Sequence, residues 1–308
     1  MKQLLRAVLQ NTPIQTSFKK FLLTHHEHTL GLCVVYSSFI NPKRLIMLPI
    51  YQVDAFSNKL FGGNPAAVVP LSKWLPDTVM LAIAAENNLA ETAFFVQNPD
   101  GTYHLRWFTP KLEVPLCGHA TLATAHVLFD HLGVTTQELI FHSASGPLTV
   151  TQKADRLELN LPAETIGSIN PPKALTDGLG IQPIFTGMAK HYLLAVLPDE
   201  ACIRMLVPDF AALASLEALG IIVTAQGNDV DFVSRFFAPK AGINEDPVTG
   251  SAHCVLVPFW AKQLGKSNFV AQQLSKRSGT LWCTLDGDRV LMSGYAKTYL
   301  IGTFAHEN

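Results

Sequence analysis

Two stretches of the 308-residue chain set a glycine at a predicted helix start beside side chains able to hold charge or move protons. Cys117, Gly118, His119 and Ala120 open one apolar helix; Thr249, Gly250, Ser251 and Ala252 open another. The first N–H groups of a helix have no intrahelical acceptor, so each terminus offers donors and partial positive charge to an anion. For either stretch alone, ordinary capping with Ser251 as an N-cap is the plainer reading. Two termini in matching positions point instead to a cleft built for a carboxylate. Gly62, Gly63 and Asn64, ahead of Pro65, read as a tight turn between strands, suited to a substrate carboxyl through its N–H groups and Asn amide, or to a simple strand connection. Glu91 lies among apolar neighbours at a helix-to-strand passage. Desolvation there disfavours the charged form of a carboxyl, a condition that suits a general acid or base. Cys117, two residues from His119, reads as a reactive thiol or as a small buried cysteine.

These residues need elements to hold them. From Met47 onward, short β-branched and aromatic runs alternate with Gly, Pro and Asn, predicting strands over 49–55, 66–70, 92–97, 103–108, 138–142, 148–152, 156–160, 192–197, 221–225, 231–237, 269–274, 280–285, 289–293 and 295–304. Helices are predicted over 77–87, 119–131, 208–218 and 251–263. The second and fourth are apolar nearly all round, which predicts burial on every face. A curved sheet wrapped round each would supply it.

An internal repeat organises the chain. Arg106 to Lys111 (RWFTPK) returns as Arg235 to Lys240 (RFFAPK). Each copy leads through a loop to a glycine and a buried helix that ends in Leu-Gly, at Leu132 and Gly133 and at Leu264 and Gly265. The expectation is an α+β fold of two homologous, pseudo-symmetric domains, 47–165 and 166–296, with a last strand at about 297–306 returning to the first.

Composition removes several function classes. With 48% hydrophobic and 15% charged residues and a net charge of -1, the chain is neither a disordered tail nor a polyanion binder, so no nucleic-acid partner is expected. No apolar run reaches the length that spans a bilayer, so no membrane partner is expected either. Five cysteines without a CxxC pair fit a reducing cytoplasm. Residues 1–46 carry six Lys or Arg and one acid, about +5 against about -6 for the rest, and read as a basic extension outside the fold, preceding a second start at Met47. His25, His26 and His28 within it read as a polar stretch without a metal.

The motifs together resemble the phenazine biosynthesis PhzF-like family of isomerases, which shares the diaminopimelate epimerase fold. They are VDAF at Val53–Phe56, GGNPAAV at Gly62–Val68, NLAETAF at Asn88–Phe94, FTP at Phe108–Pro110, CGHAT at Cys117–Thr121 and DPVTGSAH at Asp246–His253. The resemblance covers Met47 to the C-terminus. It implies a cleft between two domains, no metal or cofactor, and a homodimer. It places the family's catalytic Glu on Glu91, with His119, Asp246 and Ser251 as its other active-site residues, and a small carboxylated amino or hydroxy acid as substrate. Gly62, Gly63, Asn64, Cys117, Gly118, Thr249 and Gly250 would bind that substrate.

Epimerases of this fold use two cysteines on opposite faces of a carbon. Cys117 occupies one such position, but Thr249 occupies the other, and its hydroxyl is too weak an acid to replace a thiolate. A Cys117-dependent epimerase and a non-catalytic small-acid binding protein are the alternatives to a Glu91-based isomerase.

Overall fold

The computed structural model describes residues 45–307, of which 48–304 form one compact unit. The bulk of the basic extension, with His25, His26, His28 and Cys33, lies outside the described residues. Among those described, no helix is long and apolar enough to cross a membrane.

The strands form one mixed sheet in which a single ladder occurs twice. In the first half, Leu45–Ala55 pairs antiparallel with Asn64–Leu71, which runs parallel to Glu91–Gln97. That strand pairs antiparallel with Tyr103–Phe108, which runs parallel to Glu138–Ser143, and Gly146–Lys153 and Arg156–Pro162 complete an antiparallel meander. The second half repeats the order with Phe185–Met188, Tyr192–Val196, Gly220–Gln226, Phe232–Ala238, Asn268–Gln273, Gly279–Asp286 and Arg289–Gly294, its two parallel pairs falling at the same two places. Arg156–Pro162 joins the halves by pairing antiparallel with Arg289–Gly294, and the last strand, Ala296–Glu307, pairs with the first.

A parallel pair requires a long crossover, and the crossovers carry helices. The first in each half holds α1 (Asp77–Asn87), or α4 (Glu200–Met205) with α5 (Phe210–Ala214). The second holds α2 (Gly118–His126), or α6 (Gly250–Leu264). Among the described residues one further α-helix, α3 (Lys173–Leu179), precedes the second ladder. Every residue of α2 from Gly118 to Ala125 is buried, and α6 is buried over most of its length, so the main core surrounds these two helices. Smaller cores on the outer faces hold α1 against Val69, Phe94 and Phe108, and α3 to α5 against Leu193, Val223 and Phe237.

The repeat extends to side chains. Arg106 grips the Glu113 carboxylate through Nε and Nη2 at 2.8 and 2.6 Å, and Arg235 grips Glu245 the same way at 2.7 and 3.1 Å. Thr121 Oγ1 donates to the Cys117 carbonyl at 2.6 Å, while His253 Nδ1–H donates to the Thr249 carbonyl at 2.9 Å. Each central helix thus fastens its own first turn to the residue before its glycine.

Some elements differ from the prediction. The helix expected over 119–131 is α-helical only to His126; Val127–His131 is a π-turn, closed by Leu132 N–H on the Val127 carbonyl at 3.0 Å. The helix expected over 208–218 is only Phe210–Ala214. Short pieces such as Phe185–Met188, Ile243–Asp246 and α3 went unpredicted because they carry too few residues for a periodic pattern and are held by neighbours. Pro258 lies inside α6 and has no N–H for the Cys254 carbonyl; Glu164 N–H, from the segment linking the halves, takes that carbonyl at 2.9 Å.

The Gly62–Gly63 turn is clamped from the far half. Arg277 Nε donates to the Gly63 carbonyl at 2.9 Å, and its Nη2 donates to the Gly62 carbonyl at 2.8 Å and to Asp54 Oδ1 at 2.7 Å. Gly63 N–H donates to the Ser278 carbonyl at 2.7 Å. Gly63 has φ +62°, and a β-carbon there would stand 2.1 Å from the Ala55 carbonyl oxygen, a backbone atom that cannot swing aside. Gly63→Ala is therefore expected to cost on the order of 3 kcal/mol in chemical denaturation. Gly101→Ala, also at positive φ but in open space, should cost only about 1 kcal/mol.

Candidate active site

The sharp turns at Gly118 and Gly250 bring α2 and α6 together end to end. A β-carbon on either glycine would lie 3.4 Å from the other's Cα, and one on Gly250 would lie 4.0 Å from the His119 nitrogen. Cys117 and Thr249 are the N-cap residues, and neither side chain caps its helix. The N–H groups of the two first turns therefore converge on one small volume and concentrate positive potential there. Ser251 is inside α6 rather than at its cap, and its Oγ shares a 2.9 Å hydrogen bond with the hydroxyl of half-buried Tyr192.

Glu91 opens strand Glu91–Gln97, in register with Ala66, which places its carboxyl beside the start of α2. Glu91 Oε2 and His119 Nε2 lie 3.1 Å apart, with side chains 13% and 5% exposed. The contact is off the line a ring N–H would need, and neither atom has a hydrogen-bond partner among the described residues. Cys117 Sγ stands 3.5 Å from His119 Nδ1.

Asn64 ties this group to Asp246 in the other half. Its Nδ2 lies 2.8 Å from Asp246 Oδ1, 2.9 Å from the Val248 carbonyl and 3.2 Å from His119 Nδ1. The first two atoms can only accept, so they take both amide hydrogens, and a His119 Nδ1–H is left to Cys117 Sγ. Asn64 Oδ1 is buried without a hydrogen-bond partner among the described residues. The Thr249 hydroxyl donates to Asp246 Oδ2. Buried Gln273 locks that corner: its Nε2 donates to the Asp246 carbonyl at 2.7 Å and to Thr249 Oγ1 at 3.2 Å, and its Oε1 accepts from Thr249 N–H at 2.8 Å.

Burial opposes charge on the His119 ring, but the Cys117 and Glu91 side chains act the other way and prevail, holding its pKa well above 6.5. Burial, aided by the Glu91 charge, pushes the Cys117 thiol up to about 11. Near neutral pH that raised pKa favours the imidazolium form of His119, whose ring faces Glu91. Burial also raises Asp246 to about 6, against the pull of His119 and the donors from Thr249 and Asn64. His253 is driven by burial down to about 4 and contributes no charge. One ligand atom each from Glu91, Cys117 and His119 lie within 4.8 Å of one another, the one group among the described residues with the spacing of a metal site.

The structure thus gathers Glu91, Cys117, Gly118, His119, Asp246, Thr249 and Gly250, with Asn64 among them, and sets Ser251 on Tyr192. The Gly62–Gly63–Asn64 turn departs from its expected use. The Gly63 N–H, the carbonyls of Gly62 and Gly63 and the Asn64 amide hydrogens are all engaged within the protein, so the turn joins the halves instead of offering these groups to a carboxyl. Gln273, Tyr192, Arg277 and Asp54 were missed as supporting residues. Asp54 alone lies within a family motif, VDAF; a lone Gln or Arg far along the chain carries no local signal.

Residues 53–302 match the model of the phenazine biosynthesis-like protein family (PhzC-PhzF). An uncharacterised isomerase of Pseudomonas aeruginosa is 49% identical over 251 residues, covering 82% of this chain and 96% of that one. The crystal structure of a PhzF-family phenazine biosynthesis protein from Enterococcus faecalis superposes with a TM-score of 0.81 at 47% identity, covering 84% and 99% of the two chains. A hydroxyproline epimerase from Agrobacterium vitis shares the fold at 10% identity, with a TM-score of 0.56 over 85% and 93% of the chains. The duplicated ladder round two buried helices is thus the epimerase-like α+β fold, and the chain belongs to the PhzF-like family of isomerases.

Asp246 has its pKa raised from 3.8 to about 6 in the folded protein, so its contribution to stability is full below pH 3.8 and is lost as pH rises through about 6. Asp246→Asn keeps the shape and removes the ionisation. Denaturation series from pH 4 to 8 should show the variant gaining on the wild type by ~2–3 kcal/mol across that window.

Proposed function

We propose that this protein catalyses a cofactor-independent proton transfer on a small carboxylated amino or hydroxy acid, with Glu91 as the base. The observation that carries the reading is the Glu91–His119 pair, whose facing atoms Oε2 and Nε2 are buried with no hydrogen-bond partner among the described residues, set beside two abutting helix N-termini. The substrate carboxylate takes the N–H groups at the starts of α2 and α6. Glu91 removes a proton from a neighbouring carbon, and the electron pair left behind spreads into the carboxylate and any conjugated double bond.

That developing charge faces two sets of fixed donors, the helix N–H groups and the His119 imidazolium. Pre-placed donors in a dry site are the largest source of rate in such reactions. Glu91, now a carboxylic acid, returns the proton to a second carbon, so atoms and charge balance without a co-reactant. Asp246, held by Asn64 and Thr249, keeps a negative charge near His119 and supports its protonated form. Asn64 Oδ1, a buried acceptor without a partner among the described residues, suits an amino or hydroxyl group on the substrate.

Two features speak for Glu91 over Cys117. A thiol with a pKa of about 11 is a poor base at neutral pH, and on the opposite side Thr249 spends its hydroxyl on Asp246. The isomerase name borne by the P. aeruginosa relative supports the reaction class.

Incubation with small unsaturated amino and hydroxy acids in deuterated water, followed by mass spectrometry, tests the reading. Wild type should place deuterium on carbon for at least one acid, Glu91→Gln should lose at least ~100-fold in rate, and Cys117→Ser should keep most of it. Undiminished exchange in Glu91→Gln would overturn the proposal.

A further inference from the structure

We infer that Glu91, Cys117 and His119 also form a binding site for a thiophilic divalent cation such as Zn²⁺ or Cd²⁺, whose occupancy silences the catalytic base. The three side chains supply a carboxylate oxygen, a thiol sulfur and an imidazole nitrogen, all within 4.8 Å of one another. This is the mixed donor set that tetrahedral zinc takes, with a fourth position left to water. Cys117 Sγ and His119 Nδ1 are 3.5 Å apart, the separation of two ligands held at ~2.3 and ~2.0 Å on one tetrahedral ion. Both ligands stand on the first turn of α2 or at its N-cap, a buried and rigid element, so little order must be created on binding.

Glu91 and His119 remain available for such a role. Glu91 Oε2 is buried with no hydrogen-bond partner among the described residues, and His119 Nδ1, the ligand on the Cys117 side, needs only to lose its proton, since both Asn64 amide hydrogens are spent on Asp246 and Val248. Binding balances simply. The thiol proton and the extra proton of the imidazolium leave to water, Glu91 gives up its contact with the ring, and a dication sits among a thiolate, a carboxylate and a neutral imidazole. The positive end of α2 disfavours a cation, and those two anionic ligands offset it.

The site differs from a cofactor site in its consequence. A metal there holds the base and keeps His119 a neutral ligand in place of the imidazolium that would stabilise the developing charge, so it competes with turnover. That silencing rests on Glu91 being the base, whereas the binding itself does not.

The test is a Cd²⁺ titration of the full-length protein, read by the ultraviolet thiolate-to-cadmium charge-transfer band and by calorimetry. One Cd²⁺ per chain should produce the band. Cys117→Ser, with an unchanged melting curve, should lose that band and weaken binding at least ~100-fold, while Glu91→Gln should keep the band and bind at least ~10-fold more weakly. A band that persists unchanged in Cys117→Ser assigns the metal to another cysteine and overturns the site, as does undiminished affinity in Glu91→Gln. In the deuterium-exchange assay, Zn²⁺ should stop exchange and EDTA restore it; exchange that continues in the loaded protein overturns the silencing. If wild type exchanges no acid at all, the proposed function fails, and the Cd²⁺ titration still decides whether the metal binds.

Discussion

Everything at the candidate site depends on two helices meeting at their N-termini across a pair of glycines. A side chain larger than hydrogen at Gly118 or Gly250 would fill the space between the backbones, with its first carbon already in contact at 3.4 Å. Two like dipole ends this close repel, and the molecule answers with acidic side chains. Glu91 and Asp246 stand nearby, one from each half, and a substrate carboxylate would be a third negative group. The glycines thus set a demand for negative charge, and Glu91 and Asp246 stand where it is met.

The rest of the structure holds that meeting in register. One half supplies Glu91, Cys117, His119 and Asn64; the other supplies Asp246, Thr249 and Gln273. The amide hydrogens of Asn64 are both spent on the far half, and Arg277 returns the grip by taking the carbonyls of the turn that carries Asn64. Asn64 and Arg277 span the seam, while Thr249 and Gln273 hold Asp246 from its own side. Burying Asp246 costs stability above its raised pKa, and the donors from Asn64 and Thr249 limit that cost.

Much of this was legible in the sequence, for physical reasons that can be named. The repeat of RWFTPK as RFFAPK was visible because both Arg residues grip an acid on a short following strand, so both copies needed the same side chains. The two buried helices were visible because a helix enclosed on all faces can carry no polar stripe. The placement of Glu91 and His119 followed from motifs that the fold does gather. What stayed hidden depends on distant partners: Gln273 and Arg277 act on residues 24 to 223 positions away. Which of the two uses of the Gly62–Gly63 turn holds stayed open, because a glycine pair announces its backbone freedom and says nothing of which groups will claim its N–H and carbonyl atoms.

The reach of these contacts bears on how the protein becomes active. Asn64 meets Asp246 at a sequence separation of 182 residues, and Arg277 meets Asp54 at 223. Contacts between such remote parts of a chain form only after large loops close, which makes them late and slow to appear. A ribosome must release nearly the whole chain before Arg277 can engage the turn. No partly made chain can therefore assemble this group of residues, and their meeting marks the completion of folding rather than any step along the way.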